Sequence, residues 1–328
     1  MEVFVKEFST YRTIKQASAL SSNLVLDSLS AETSTISVRG TAIDRSDAGN
    51  WIIIDGKVYL ISSVNPAAGK TSLSLLSPLD AFSRRVDAPA GAYDTVGAFI
   101  QATMDLHWLR CQDPVYAMPY LSIQSLDTNP VVSPSLDTNG CFDLAEYCRL
   151  MRQTYRTTVI FEGAGNSLNC IIQTAPSAQR QISFSDGRSQ LQRVDYAAAG
   201  IAKLTVYQDD GSGGKTKTDW YLSESGEVSQ EIPGRRAPGR WETLTLGSED
   251  LLQARVTEAF AASRADHKVE FYSTVDLAVH DLCTFNIYGV LLQSEISYKS
   301  KSSADRRFHY KAGQLKTTAA EKLKGVIK

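Results

Sequence analysis

The chain has 328 residues, a formal net charge of −2, and 43% hydrophobic against 21% charged residues. This composition is that of a globular protein with room for several domains, and it excludes a globally basic nucleic-acid binder. The first residues lack the apolar segment of a signal peptide, and no apolar run reaches the roughly 18 residues of a membrane span. We therefore expect synthesis in the cytoplasm and no membrane insertion.

Residues 1–88 predict a small antiparallel β-barrel. The stretches EVFVKEF (2–8) and STISVRG (34–40) alternate apolar and polar residues, as half-buried strands do. In NWIIIDGKVYLISSV (50–64), Asp55-Gly56 separates two apolar runs, which indicates a hairpin whose type I′ turn needs two residues with positive φ. A further strand is predicted at TSLSLLSPL (71–79).

Residues 89–190 predict an α+β insertion. Asp94 or Thr95 is placed to cap a helix, and CFDLAEYCRLMRQTY (141–155) predicts a second helix. Two strands follow, at 157–163 and 167–175. The proline-containing segment 112–140, with Asp-Thr-Asn triplets at 127–129 and 137–139, predicts an ordered loop held by Asx turns.

Residues 191–265 predict a β-hairpin and a connecting helix. The strands IAKLTVYQDD and KTDWYLSES are the arms of the hairpin, and Ser248 is placed to cap the helix GSEDLLQARVTEAFAAS. Residues 231–241, EIPGRRAPGRW, form a basic connector. Residues 266–328 predict several strands and a short final helix. Their order resembles that of residues 50–77, so we expect a second β-barrel and a mainly β chain with α+β insertions.

Two Gly-Lys-Thr stretches invite a comparison with phosphate-binding loops. A P-loop needs another glycine five positions before the glycine of its Gly-Lys pair, but the sequence has Val64 and Asp209 there. Both stretches are also followed by strand-like sequence, whereas a P-loop continues into a helix. We therefore predict hairpin turns and no nucleotide-driven activity.

The sequence also lacks the residue patterns that are typical of a catalytic or metal site. The four histidines (107, 267, 280 and 309) have no metal-binding spacing, and the five cysteines (111, 141, 148, 170 and 283) form no C-x-x-C pair. His107, near Cys111, has the position of a helix-dipole partner. We expect buried free thiols, no cofactor, no metal and no enzymatic activity.

Charge is unevenly distributed along the chain. The last thirty residues contain nine lysines and arginines but only two acidic residues, which leaves the preceding part net acidic. A basic end on an acidic body favours docking to an acidic neighbour, while a merely solvated tail is an equal alternative. The candidate interface residues are Arg306, Arg307, Lys311, Lys316, Lys322 and Lys324.

Two other functions are compatible with single features. Single-strand nucleic-acid binding would use the Arg-rich connector with Trp241, but the acidic body disfavours a polyanion. Binding or degradation of cell-wall glycans would use exposed aromatic residues such as Trp51, Trp220 and Trp241, although packing in a core or an interface is the more common fate of such residues.

The sequence resembles the hub proteins of bacteriophage tails and of related contractile injection machines. The resemblance is carried by LSLLSPLDAFSRRV (73–86), followed by the α+β insertion, and by VDLAVHDLCTFNIYGVLLQSEISYKSKSSADRRFHYKAG (275–313). It covers most of the chain as an order of elements rather than as a specific motif.

The resemblance implies a structural, non-enzymatic protein of the virion tail or baseplate. In that family, three chains with two barrels each form a pseudo-sixfold ring that joins the sixfold tail tube to a threefold central spike or fibre. The implied partners are two further copies of the chain, the tail tube protein, the spike or fibre, and neighbouring baseplate proteins. No specific nucleic-acid binding is implied.

Overall fold

The computed structural model describes residues 1–134, 136–137, 139–196, 201–211, 214–223, 228–234, 240–247, 252–263 and 267–313. The chain divides into two compact units. The first comprises Met1–Arg180, Ser273–Leu282 and Ile296–Tyr310, and the second comprises Gln181–Tyr272, Cys283–Glu295 and Lys311–Lys328. The predicted final helix and the cap at Ser248 lie outside the described residues.

The chain is mainly β, as predicted. The strands are β1 Glu2–Lys6, β2 Thr13–Ser28, β3 Ser34–Arg39, β4 Trp51–Ile54, β5 Lys57–Ala67, β6 Lys70–Leu76, β7 Arg85–Asp87, β8 Leu121–Ser125, β9 Cys141–Asp143, β10 Thr157–Ala164, β11 Ser167–Thr174, β12 Gln179–Ile182, β13 Ser189–Tyr196, β14 Ile201–Asp209, β15 Lys215–Leu222, β16 Val228–Ser229, β17 Arg240–Leu246, β18 His267–Ser273, β19 Leu282–Ile287, β20 Val290–Ser302 and β21 Phe308–Ala312.

The helices are α1 Val96–Met104, α2 Leu144–Tyr155 and α3 Leu252–Ser263. Short 3₁₀ turns lie at Arg45–Asp47 and Pro78–Phe82, and a π-helical turn at Asp105–Leu109 extends α1.

The first six strands close into a barrel in the first unit. Antiparallel pairs join them in the order β1–β2–β3–β6–β5–β4, and β4 returns to β1. Closure removes the open strand edges that a small sheet would otherwise expose. Alternate residues point inward, so Val3 and Val5 of β1 pack against Ile52 and Ile54 of β4 in the barrel core.

Strand β2 is the longest of the strands that the sequence analysis missed. It is sixteen residues long and pairs with β1 at one end and with β3 further along. Its final residues also pair with β20, from Asn23↔Ser302 to Ser28↔Tyr298. Small and polar residues hide its alternation, because both of its faces are partly exposed over most of its length.

Turn chemistry was predicted correctly. Asp55 and Gly56 have φ values of 47° and 76°, as a type I′ turn requires. Tyr288 and Gly289 repeat this pair of positive φ values between β19 and β20. Gly69 turns the chain between β5 and β6, so the Gly-Lys-Thr stretch there is a hairpin, as predicted.

The insertion also has its predicted helices. Thr95 caps α1 by accepting a hydrogen bond from the Ala98 amide at 3.1 Å, and Asp143 caps α2 through Glu146 at 2.9 Å. The strands β10 and β11 form a hairpin, and β8, inside the segment predicted to be a loop, pairs parallel to β11. The helices and this sheet enclose a core shared with the barrel exterior.

The stretch that carried the resemblance connects the barrel to this insertion. Pro78–Phe82 form a 3₁₀ turn in which the Phe82 side chain is fully buried against Trp108 and Phe161. Asp80 of the same turn makes an ion pair with Arg149 of α2. The turn therefore holds the end of the barrel against the insertion.

The second unit contains a separate four-stranded sheet in the order β16–β15–β14–β17. Strands β14 and β15 are antiparallel, as the predicted hairpin requires, and β17 lies parallel to β14. Whether the C-terminal strands close into a second barrel stays a prediction, as do the domain limits at residues 88, 190 and 265.

The five thiols differ in accessibility, which leads to a testable expectation. Cys148, Cys170 and Cys283 are buried, whereas Cys111 and Cys141 are half-buried. Burial raises the pKa of the Cys148 thiol and raises that of Cys170 to about 12, so neither forms the reactive thiolate near neutral pH. The Cys141 thiol donates to Asp87 Oδ1 at 3.2 Å, and this hydrogen bond raises its pKa. We therefore expect Cys111 of the native chain to react with Ellman's reagent within minutes, Cys141 more slowly, and all five thiols after denaturation. Fast reaction of four or five native thiols would contradict this packing.

Candidate interaction surfaces

One face of the four-stranded sheet in the second unit is covered by α3. Leu204, Val206 and Trp220 of the sheet pack against Val256 and Phe260 of the helix. Because side chains alternate along a strand, the residues between these point to the opposite face. No described helix packs against that opposite face, which we call the open face.

The register of the strands fixes the neighbours on the open face. Lys203, Thr205 and Tyr207 of β14 point to it from the central strand. Cross-strand neighbours form three rows across β15, β14 and β17: Tyr221–Lys203–Trp241, Asp219–Thr205–Thr243 and Lys217–Tyr207–Thr245.

Four of these side chains contact one another: Lys203, Thr205, Asp219 and Trp241. The Trp241 Nε1 donates to Thr205 Oγ1 at 2.8 Å, and Thr205 Oγ1 donates to Asp219 Oδ1 at 2.6 Å. Lys203 Nζ lies 2.9 Å from Asp219 Oδ2 and 4.3 Å from the centroid of the Trp241 ring. The indole is therefore held by a hydrogen bond and by a cation–π contact from two neighbouring residues.

The charges within this set neutralise each other. The hydrogen bond from Thr205, followed by that from Lys203, lowers the pKa of Asp219, and the hydrogen bond to Asp219 raises the pKa of Lys203. Both groups consequently stay ionised across the neutral range and form an ion pair. Arg240 and Glu242, at the start of β17, form a second pair. Glu242 is the cross-strand neighbour of Leu204, so this pair lies on the face opposite Trp241.

The indole of Trp241 is nevertheless largely exposed. Its relative exposure is 65%, whereas the Lys203 side chain below it is 19% exposed and Thr205 is 1% exposed. Lys203 thus contacts one face of the ring, and Thr205 contacts its Nε1 edge. The opposite face, which we call the outer side, faces solvent.

Two of the three aromatic residues considered for a glycan groove lie in cores, the fate that the sequence analysis gave as the more common one. Trp51 is fully buried between the barrel and the insertion, and Trp220 is 7% exposed under α3. Both serve in cores, so neither can contact a ligand. Trp241 alone of the three is exposed.

The basic C-terminal segment is partly used within the chain. Lys299 pairs with Asp276, and Lys301 donates to the carbonyl of Arg306. Both ammonium groups also lie within 5 Å of the Phe308 ring centroid, at 4.8 and 4.2 Å.

Of the candidate interface residues, three lie in the described part of the chain. Arg307 makes a two-point contact with Asp305 at 3.2 and 2.9 Å, Lys311 is half-buried, and Arg306 is exposed. The remaining candidates, Lys316, Lys322 and Lys324, lie outside the described residues.

A cleft of about 350 Å³ lies in the first unit between the barrel and α2. Arg149 and Arg152 of α2 reach its wall, where Arg149 pairs with Asp80, and Arg152 with Asp27 at 2.7 Å. Arg152 also donates to the Ser28 carbonyl at 3.1 Å. Because both guanidinium groups are neutralised, they tie the helix to the barrel rather than present an anion site.

The described residues contain no group of three or more histidine, cysteine or acidic side chains that could hold a metal ion. His107 Nε2 lies 2.9 Å from the carbonyl oxygen of Asp87, so its polar partner is the backbone of β7 rather than Cys111. Among the helices that the structure describes, none has the length and apolar character to cross a membrane.

The chain matches known proteins by structure but not by sequence. No protein-family model and no curated protein sequence matched. The prophage tail protein gp18 of Listeria monocytogenes superposes with a TM-score of 0.59 at 11% identity, covering 99% of this chain and 98% of that one.

Two further tail proteins superpose on the chain over most of its length. The 43 kDa tail protein of prophage MuSo2 from Shewanella oneidensis gives a TM-score of 0.53 at 12% identity, covering 96% of this chain and 98% of its own. The tail protein of Neisseria meningitidis gives 0.52 at 12% identity, with 95% and 96% covered. The chain therefore has the fold of phage tail proteins, as the resemblance in its sequence predicted.

Proposed function

We propose that the protein is a structural hub of a phage tail or of a related injection machine. The observation that carries this proposal is the coverage of the likeness: barrel, insertion and C-terminal strands match the Listeria prophage tail protein over 99% of this chain and 98% of that one. A shared fold alone does not establish function, so the proposal also rests on the order of elements that the sequence resembles.

In the proposed assembly, three chains form a ring. Each chain would supply the closed barrel of residues 1–76 and a second barrel built from its C-terminal strands, so that three chains present six similar domains. Such a ring would join a sixfold tail tube to a threefold spike or fibre. The insertion would contact neighbouring baseplate proteins, and the protein would have no enzymatic role.

The basic C-terminal segment is proposed to bind an acidic surface of a neighbouring subunit or of the tube. Support comes from the charge distribution of the chain and from the exposed position of Arg306. Lys299, Lys301 and Arg307 already contact groups of this chain, so among the described residues the proposal rests on Arg306. The candidate lysines at 316, 322 and 324 are proposed to act with it.

The hub proposal is tested by the mass of the purified full-length protein. Light scattering is expected to give three times the 35.9 kDa chain mass, and negative-stain images of the same peak should show rings. If the protein remains monomeric even when mixed with the tail tube protein of the same tail, the ring is disproved.

The basic segment has a separate test. Reversing four charges in the full-length chain (Arg306→Glu, Lys316→Glu, Lys322→Glu and Lys324→Glu) should weaken assembly at least tenfold, and high salt should weaken the unmodified protein in the same direction. The matched control reverses Lys215 and Lys217, which lie on β15. If the fourfold variant has the association constant of the unmodified protein, the proposed role of the basic segment is rejected. The ring proposal is not affected by that result.

A further inference from the structure

We propose that the open face of the four-stranded sheet is a carbohydrate-binding site, in which an uncharged pyranose ring stacks on the outer side of the Trp241 indole. The inference draws on the proposed tail function only for the class of glycan, that of a bacterial surface. The site itself rests on the geometry of Trp241, Thr205, Asp219 and Lys203.

The first argument is that the indole is held in place although it is exposed. An exposed aromatic ring that served no purpose would not need support, yet Trp241 has its N–H satisfied by Thr205 at 2.8 Å and Lys203 under its ring at 4.3 Å. Thr205 is in turn fixed by Asp219. Orienting the ring in advance reduces the entropy that a ligand would lose in ordering it.

The second argument concerns what surrounds the ring. The core of a protein–protein interface is apolar and depleted of charged residues. Around Trp241, the open face instead carries hydroxyl-bearing and charged side chains, among them Thr243, Thr245 and Tyr207. One largely exposed indole, with the half-buried Tyr207 and Tyr221 on the same face and hydroxyl groups around it, therefore fits a small polar ligand better than the core of a protein interface.

The third argument concerns charge. Stacking of nucleobases also uses exposed aromatic rings, but it is coupled to a positively charged groove that follows the phosphates. On the open face Lys203 is neutralised by Asp219, and Lys215 is the cross-strand neighbour of Asp209, which leaves Lys217. Three lysines against two aspartates are an excess of one positive charge, far less than a groove that follows several phosphates carries, so the face favours an uncharged ligand.

A pyranose ring has the matching chemistry. One of its faces presents C–H groups whose hydrogens carry partial positive charge, and the face of an indole carries the negative part of the ring quadrupole. The hydroxyl groups around the edge of the stacked sugar can pair with Thr243, and those of the following sugar units with Thr245 and Lys217, all of which are exposed. One aromatic platform with a few polar contacts predicts a dissociation constant of roughly 0.1–1 mM per site.

The experiment is a titration of the full-length protein with two probes, β-1,4-linked N-acetylglucosamine hexamers and peptidoglycan fragments released by a muramidase. Tryptophan fluorescence is a selective readout, because the other three tryptophans (51, 108 and 220) are at most 7% exposed. We expect a saturable change, and bound saccharide should protect Trp241 from acrylamide quenching.

Three variants test whether saccharide binding depends on Trp241. Trp241→Ala should reduce the affinity, followed by calorimetry, at least tenfold, and Thr205→Val should reduce it severalfold by releasing the indole. Tyr288→Asn is the matched control, because Tyr288 is 92% exposed on a hairpin turn and asparagine tolerates its positive φ of 52°. It should leave binding unchanged, and circular dichroism should show that all three variants are folded.

Absence of binding to both probes overturns the proposal, and so does binding that survives Trp241→Ala. Salt-sensitive binding of a single-stranded oligonucleotide that Trp241→Ala abolishes would also overturn it, in favour of a nucleic-acid site. The oligomeric mass is independent of these titrations. If the protein is a trimer and binds no saccharide, the hub proposal stands and the carbohydrate site is rejected. If it stays monomeric, also in the presence of the tail tube protein, and binds saccharide, the site stands and the ring is rejected.

Discussion

Replacing Trp51 with alanine is expected to lower the free energy of unfolding of the first unit by about 3–5 kcal/mol, the usual range for removing a buried tryptophan. Trp51 is fully buried, and its ring stacks on Phe8 with centroids 5.4 Å apart. The loss should be measured by urea denaturation monitored with far-ultraviolet circular dichroism.

The size of this effect follows from the position of Trp51. It starts β4 on the outside of the barrel and belongs to the core that the barrel shares with the insertion. Its Nε1 donates to the Tyr120 hydroxyl at 2.9 Å, and that hydroxyl donates to the Phe8 carbonyl at 2.5 Å. Alanine would leave a cavity where three segments of the chain meet, and the neighbouring residues can fill it only in part.

Trp241→Ala is the matched control, because it removes the same side chain from an exposed position. We expect it to cost less than about 1 kcal/mol, mainly for the hydrogen bond to Thr205. Equal losses in the two variants would mean that Trp51 is not at the centre of the core.

Replacing Asp127 with alanine is expected to cost about 2–4 kcal/mol, because it leaves buried hydrogen-bond donors without their acceptor. The Asp127 carboxyl group is 6% exposed and accepts from Thr157 Oγ1 at 3.1 Å and Thr174 Oγ1 at 2.8 Å. It also accepts from the Gly97 amide at 3.1 Å and from Asn129 Nδ2 at 2.9 Å. This one side chain thereby joins α1 to β10 and β11.

Asp137→Ala is the control, since Asp137 begins the second Asp-Thr-Asn triplet. Its carboxyl group accepts from the amides of Asn139 and Cys141 within its own loop, at 2.8 and 2.9 Å, and pairs with the exposed Arg85. A local turn of this kind contributes about 1 kcal/mol. Thermal unfolding followed by calorimetry should therefore separate the two variants, and similar midpoints would contradict the buried role of Asp127.

The two Asp-Thr-Asn triplets have different partners, and the sequence predicted only one of them correctly. The sequence predicted Asx turns for both, and this is correct for Asp137, whose partners lie two and four residues away. For Asp127 it is wrong, because apart from the Asn129 side chain its partners belong to the first turn of a helix and to two strands, at least thirty residues away. Local spacing carries no information about such distant donors.

The sequence by itself determined the elements whose causes are local. Asp55-Gly56 predicted its hairpin because few other residue pairs adopt two positive φ values, and Thr95 predicted the start of α1 because its hydroxyl caps the first turn. The order of these elements was also enough to predict the fold of phage tail proteins.

Only the tertiary structure decided which strands pair and which aromatic rings are exposed. The pairing of β17 with β14 brings Trp241 beside Lys203, nearly forty residues earlier in the chain, and its sequence offers no sign of this contact. Trp51, Trp220 and Trp241 are alike in sequence, but two lie in cores and one lies on an open face. Burial depends on what covers each face of a sheet, and that is determined by contacts between distant segments.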